Sequence, residues 1–530
     1  MKAIKIFTIA ALILSLGACK KGFLDVEPIT TVTEENFYKT PKDAYTALVG
    51  CYDGMQIVWT EGVSLPVAAE VMSDNAFGGT GNSDGFGYQM LDEFDKSRSP
   101  ADQDLFGGNW VLYYKALFRC NTLIAKMDQI QWGTDAQLRK TYESEARYIR
   151  AYLLFDMVRL WGNIPLITVP TSENIPQSNP EAVYKQIAED LKFASENMLV
   201  TSYTAQPVAE HGRATKYAAE ALLGRVYLFY TGYYAKTDLA GVVTKPQALA
   251  YLEDVITNGG YGLVENFANL WPAASPTTYA GEDNKETVFA IKYTYTSDYN
   301  GNRDGNYWMV MTGMREFSFA PYGNGWGGQT VNPKLWNAYA STDTRRSASI
   351  ISIAGENIPF TNQKGQREYT GYYGKKYSPM LGADGKPLPD TYGNPNFQIA
   401  QFQDYVVIRY ADVLLMAAEL GSPNAQTYFD RVRQRAYLSA FTPLALTTDN
   451  LFQERRLEFA LEGIRYYDLL RQGVPKAAQT IAESVSLLNG GAPVTKTISA
   501  GNITTTQGLQ QIPYTQITLS NGTLKQNAGW

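Results

Sequence analysis

The sequence predicts a mainly α fold, made of tetratricopeptide-like helical hairpins with a loop-rich, irregular ligand-binding face and minor β structure. Two observations predict it. Apolar residues recur at helical spacing through most of the chain, and between about residues 262 and 408 that pattern gives way to long loops punctuated by glycine. A third observation, a short apolar run near Met1, sets residues 1–18 apart from the fold as a signal peptide.

The N-terminal segment carries Lys2 and Lys5 and then an apolar run from Phe7 to Leu16. That run is shorter than the roughly 20 residues needed to cross a bilayer as a helix. It leads into Leu16-Gly17-Ala18-Cys19, which resembles a bacterial lipobox. The resemblance implies cleavage before Cys19 and a lipid on its thiol, each buried CH₂ stabilising the anchor by about 0.8 kcal/mol. No later stretch is apolar enough to span a membrane, so the mature chain is expected to be tethered there by its lipid alone.

Residues 19–235 read as an N-terminal helical region and 236–530 as a C-terminal region bearing the long loops, the two forming one compact unit. Thr134-Asp135-Ala136-Gln137 has the form of a capping box. Ala146, Ile149, Leu153, Met157 and Leu160 then form an apolar stripe, which Gly162 and Pro165 end. Asn179 suits a helix cap, Pro180 the first turn, and Glu181 the positive end of the dipole. Val183, Ile187, Leu191, Ala194 and Met198 follow as one stripe. Residues 214–234 and 246–258 read as a hairpin in which Ala218, Ala221 and Gly224 allow close approach to Ala248 and Leu252. Residues 409–437 read as another, in the manner of stacked helical repeats. Cys51 and Cys120 both fall inside apolar helical patterns, compatible with buried thiols or with one disulfide.

The loops are where a ligand is expected. Phe289, Ile291, Tyr293 and Tyr295 alternate like a strand. Gly301, Gly305, Gly313, Gly323, Gly325, Gly327 and Gly328 then space out a segment that holds Trp308, Tyr322 and Trp326. A second such segment, Ser73 to Tyr88, mixes Asp74, Asn75, Asn82 and Asp84 with Phe77, Phe86 and Tyr88. Aromatic faces pack against the C–H groups of sugars while Asn and Asp side chains bind hydroxyls. Trp308, Tyr322 and Trp326 are therefore the stacking candidates, and Asp74, Asn75 and Asn82 the hydroxyl partners, with Phe77, Phe86 and Tyr88 beside them. The 37 tyrosines, against 22 phenylalanines, fit wet binding surfaces and partly buried helix contacts equally well.

The sequence weighs against several function classes. A formal charge of −6 with no Lys/Arg run longer than two argues against nucleic acid. His211 is the single histidine, so a multi-histidine metal site cannot be built, and its surroundings, Glu210 to Ala214, read as the entry to a helix. Glu454, Glu458 and Glu462 stand one helical turn apart beside Arg455, Arg456 and Arg465, a pattern of ion pairs more than of a glycosidase acid and base. Tyr322 to Gly328 lacks the Lys-Ser/Thr of a phosphate loop. No cofactor is called for, though loop carboxylates leave a structural Ca²⁺ open.

Ordered motifs along the chain also carry a resemblance. They are Phe23-Leu24-Asp25-Val26-Glu27-Pro28, Asn36-Phe37-Tyr38, Asp43 to Leu48 with Gly50, Glu145 to Tyr152, Trp161 to Leu166 and Gly212 to Lys216. Ile408 to Glu419, Glu454 to Phe459, Glu462 to Leu469 and Asn527-Ala528-Gly529-Trp530 complete the series. Together they resemble the SusD/RagB family of Bacteroidota outer-membrane lipoproteins over nearly the whole length. The resemblance implies a SusD-like α-α superhelix and no catalysis. It further implies glycan capture at the extracellular face of the outer membrane, as the lid of a SusC-type TonB-dependent importer. One branch of that family serves peptide importers, so peptide capture is the alternative. The family's ligand-contacting rings lie in variable loops, so no binding residue carries over by motif.

Overall fold

The computed structural model describes residues 37–530; the predicted signal segment and the lipid-anchor residue Cys19 lie outside the described residues. The first long helix, α1 (Pro41–Gln56), starts where Thr40 and Asp43 form a reciprocal cap, the Asp43 carboxylate accepting from the Thr40 amide at 2.8 Å. Next come α2 (Gly107–Lys126) and α3 (Ala136–Trp161), the latter stopping at Gly162, whose φ of +68° continues no helix. The expected capping box at Thr134–Gln137 does not form. Asp135 occupies the cap without a side-chain bond, and the Gln137 amide instead donates to the Asn197 carbonyl at 2.9 Å. α4 (Pro180–Asn197) begins as the sequence predicts, with Asn179 accepting from the Glu181 amide at 2.9 Å.

α5 (Lys216–Tyr233) and α6 (Lys245–Asn258) close tightly because Gly224 lacks a side chain. A Cβ there would sit 2.6 Å from Leu252 Cδ2. From α1 to α6 each helix packs on the next, as in a solenoid. The stack does not end at α6. Residues 259–409 leave it, and α7 (Tyr410–Glu419) then packs against α6 and against α8 (Ala425–Tyr437), resuming the layer. One apolar core extends from Ala44 to Leu524 through both halves of the chain. At its centre Trp161 is fully buried between Trp110 and Tyr113, ring centroids 4.9 and 5.9 Å away. Among the described residues no helix is long and apolar enough to cross a membrane.

The excursion is organised by small sheets. β1 (Ala76–Phe77), β3 (Thr330–Val331), β5 (Tyr372–Gly374) and β4 (Ile350–Ser352) form an antiparallel sheet in that spatial order. β2 (Thr287–Ile291), the strand the alternation predicted, pairs with β6 (Tyr405–Arg409), so the excursion leaves and rejoins the helices at one place. A hairpin of β7 (Glu483–Asn489) and β8 (Ala492–Ile498) turns on Gly490 and Gly491, both at positive φ, as a two-residue hairpin turn requires.

Glu454, Glu458 and Glu462 are indeed ion-paired, but not with the arginines beside them. α9 (Thr448–Glu458) ends before Glu462, and all three carboxylates point into the protein. Glu454 meets Arg345 at 2.5 Å and Arg433 at 3.1 Å, and Glu462 takes Arg409 and Lys376. Glu458 receives Arg345 at 3.0 Å, Arg409 at 2.8 Å and Arg435. The neighbouring arginines serve other carboxylates: Arg455 holds Asp412 and Asp468, and Arg456 and Arg465 both hold Asp74. Burial disfavours the charge on Glu458, yet the three arginines outweigh it and hold that carboxyl well below its ordinary range.

Cys51 on α1 and Cys120 on α2 are free, fully buried thiols. A hydrogen bond to Cys120 and burial push the Cys51 thiol well above its ordinary range. Ellman's reagent at neutral pH is expected to titrate neither in the native protein and both in guanidinium chloride. Prompt labelling of the native protein would contradict this packing.

Candidate ligand-binding surface

The two loops singled out in the sequence come together. β1 sits in the first loop and pairs with β3, which directly follows the second; the register places Ala76 opposite Val331 and Phe77 opposite Thr330. Beyond the sheet the Thr80 amide donates to the Gly327 carbonyl at 2.7 Å, and Gln366 Nε2 donates to the carbonyls of Thr80 and Gly327 at 2.9 and 3.1 Å. Glycine is required at this crossing, since a Cβ on Gly79 would lie 2.3 Å from the Gly327 oxygen and Gly327 itself has φ of +62°.

The outer part of the first loop is wrapped around one guanidinium. Arg367 donates to the carbonyls of Asp84 and Gly85 at 2.8 and 2.9 Å, and to that of Asn82 at 3.2 Å, while its Cζ lies 4.0 Å from the centre of the Phe86 ring. Asn82, Asp84 and Phe86 are thereby presented to solvent on a fixed turn. Across from them Arg315 donates to the Trp326 carbonyl at 3.1 Å and approaches Asp84 Oδ2 at 3.4 Å. Trp326 is 37% exposed. An indole, a second aromatic ring, an amide, a carboxylate and a guanidinium thus share one rigid rim, which suits a ligand with apolar faces and hydroxyl edges.

Burial removes most of the other candidates from this rim. Asp74 lies in the interior between Arg465, at 2.7 Å, and Arg456, at 3.0 Å. Burial alone would raise its carboxyl, but the two arginines hold it below the ordinary range. Asn75 is fully buried, donating to Glu70 and accepting from Arg456, both at 3.0 Å. Phe77 is a core residue of β1, and Tyr88 is half-buried against the core. Trp308, only 4% exposed, packs between Tyr377 and Tyr405, with centroids 5.0 and 5.6 Å away. Tyr322 is buried and donates to Glu356 at 2.6 Å. Asn82, Phe86 and Trp326 remain at the surface, joined by Asp84 and the partly exposed Arg315, while Arg367 is buried beneath the turn that it holds.

A second group of exposed rings stands on the same excursion. Tyr295 and Tyr392 stack at 4.9 Å with 25° between their planes, and Phe402 meets both edge-on at 5.9 and 5.3 Å. Their loops are far apart in sequence, and nothing in the local pattern around Tyr392 or Phe402 signals the meeting. His211 stacks on Tyr203 at 6.2 Å and faces Asp283 at 3.6 Å. Among the described residues no group of three or more His, Cys, Asp or Glu is placed to hold a metal ion.

Known proteins resemble this one along most of its length. Residues 356–530 match the model of the SusD family, and residues 45–228 match one described as starch-binding associating with outer membrane. A SusD-like protein from Bacteroides ovatus is 25% identical over 488 residues, covering 88% of this chain and 82% of its own. Among solved structures, a laminarin binding SusD-like protein superposes with a TM-score of 0.71 at 28% identity, covering 93% of this chain and 100% of its own. Surface glycan-binding protein A from Bacteroides fluxus superposes with a TM-score of 0.77 at 24% identity, over 93% and 100% of the two chains, a likeness of fold.

Proposed function

The chain belongs to the SusD family, and on that premise we propose that it is a non-catalytic glycan-binding lipoprotein of the outer membrane. The observation that carries the reading is the Trp326 rim. There an indole is left to solvent on a loop that is otherwise hydrogen-bonded into place, beside Asn82, Asp84 and Arg315. The solved relative at 28% identity is named for laminarin binding, which supports an oligosaccharide as the ligand class. Buried partners occupy Glu454, Glu458 and Glu462, so none of them is disposed as the acid or base of a glycosidase.

In this proposal Cys19 carries the lipid, and the protein lies as a lid over a SusC-type TonB-dependent importer, capturing the oligosaccharide on its loop face. The helical layer would face the transporter. Tyr45 and Val49 on α1 and Val111 and Phe118 on the adjoining α2 are exposed apolar side chains suited to such a contact.

Isothermal titration of the protein beginning after Cys19 is the test, with laminarin, xyloglucan and starch beside a panel of peptides. Glycan binding without release of reducing ends is the expected result. Binding to peptides alone, or to none of the glycans, would overturn the proposal.

A further inference from the structure

We propose that Tyr295, Tyr392 and Phe402, with the neighbouring Tyr299, form a second sugar-stacking platform, so that a long glycan engages the protein at two places. The inference rests on the glycan-binding reading and adds to it a preference for polymeric over short ligands.

The distribution of exposed apolar side chains is the first reason. Within residues 259–409 the large hydrophobic side chains left to solvent are Tyr295, Tyr299, Phe319, Trp326 and Tyr392, every one aromatic. On the rest of the molecule most are aliphatic, for example Val169, Leu199, Val200, Val208, Leu438 and Leu519. A face made for another protein would draw on aliphatic anchors as well as rings, whereas a face made for sugars needs flat rings with polar edges.

The second reason is that the rings are already ordered. Tyr295 is 37% and Tyr392 54% exposed, yet they stack on each other with Phe402 wedged edge-on behind them. The Asn394 amide donates to the carbonyls of Tyr295 and Ser297 at 2.6 and 2.7 Å, tying the two loops together. Tyr299, 69% exposed, donates from its hydroxyl to Gln398 at 3.3 Å. A ligand would therefore meet rings whose ordering cost has already been met in folding. Thr294 and Thr296, both exposed, put hydroxyls beside Tyr295 for hydrogen bonds to a sugar.

The third reason is continuity with the Trp326 rim. The strand-like turn before Trp326 bridges Tyr322 to Met380, and the Leu381 amide donates to the Pro321 carbonyl at 2.9 Å. The Met380 carbonyl in turn accepts from the Leu388 amide at 2.8 Å, four residues before Tyr392. Both aromatic groups are thus carried by one hydrogen-bonded loop system, while Trp326 itself takes no part in the Tyr295 stack. Two sites on one body raise apparent affinity for a chain long enough to reach both, without any gain for a short one.

The experiment compares laminarin, xyloglucan and starch with short oligosaccharides of each, titrated against the wild type, Trp326→Ala, and Tyr295→Ala combined with Tyr392→Ala. Tyr299→Ala serves as a further variant because its side chain is 69% exposed and is not one of the three stacked rings, so failure of the double variant to fold leaves a test in hand. The double variant is expected to lose about tenfold or more in affinity for the bound polymer and to change little toward the short oligosaccharide. Tyr299→Ala should shift in the same direction by a smaller factor. If the double variant and Tyr299→Ala bind polymer like the wild type while Trp326→Ala loses it, the second platform is refuted and the glycan reading stands. A wild type that binds none of the glycans refutes both.

Discussion

Glu458→Gln should be among the most destabilising single substitutions in this protein, lowering stability by about 3–5 kcal/mol, the usual consequence of breaking a buried ion pair from one side. One carboxylate, wholly removed from solvent, receives Arg345, Arg409 and Arg435, and those arginines also reach Asp343, Glu454, Glu286 and Glu462. Loss of one charge therefore leaves three buried guanidinium groups short of a partner. The measurement is the midpoint of thermal or urea unfolding followed by circular dichroism. Lys185→Ala, which removes only an exposed pair with Glu189, should move that midpoint little. A Glu458→Gln midpoint equal to that of Lys185→Ala would show that the neighbouring carboxylates compensate.

The same network sets an acid limit. The folded-state carboxyl of Glu458 is held below its ordinary value of 4.5, so its contribution is fully present above that pH and declines as pH falls below it toward the folded-state value. Asp412, held low by Arg455 and Arg225 against the cost of burial, adds to stability in the same direction from its ordinary value of 3.8 downward. Through these two carboxylates, unfolding midpoints should fall steeply below about pH 4.

The second large effect separates two tryptophans that the sequence places in the same class. Trp326→Ala is expected to weaken glycan binding by about 1–3 kcal/mol, roughly five- to 150-fold in Kd, with little change in unfolding midpoint. Trp308→Ala should instead cost about 3–5 kcal/mol of stability by opening a cavity against Tyr377 and Tyr405. The molecules that remain folded should keep their affinity. Titration and unfolding of the two variants side by side decide it, and the reverse outcome would move the binding face to the inside of the excursion.

These tryptophans also show where sequence reasoning stops. Trp308 and Trp326 sit among the same glycines, and no local periodicity distinguishes them. Trp308 is turned inward onto Tyr377 and Tyr405, 69 and 97 residues further on, whereas Trp326 is left exposed on a loop whose backbone Arg315 holds. Asp74 is the same case. Its loop is polar and glycine-rich, as a binding loop should be, yet Arg456 and Arg465 reach it from nearly four hundred residues downstream and draw it inside. The Tyr295 and Tyr392 stack had no local signal at all, since each ring becomes notable only beside the other.

What the sequence determined by itself is what depends on near neighbours. Apolar spacing and the Asn179 cap placed the helices to within a residue or two, small residues at Gly224 allowed the tight hairpin, and the ordered motifs identified the family. Even the two loops that build the rim were legible, because glycine and aromatic residues concentrate where the repeat pattern fails. Tertiary structure alone decided which members of those loops face solvent and which carboxylate pairs with which arginine. Helical periodicity acts over a few residues and is written into the chain locally. Burial and charge pairing are settled between segments hundreds of residues apart, which only the fold brings within a few ångströms.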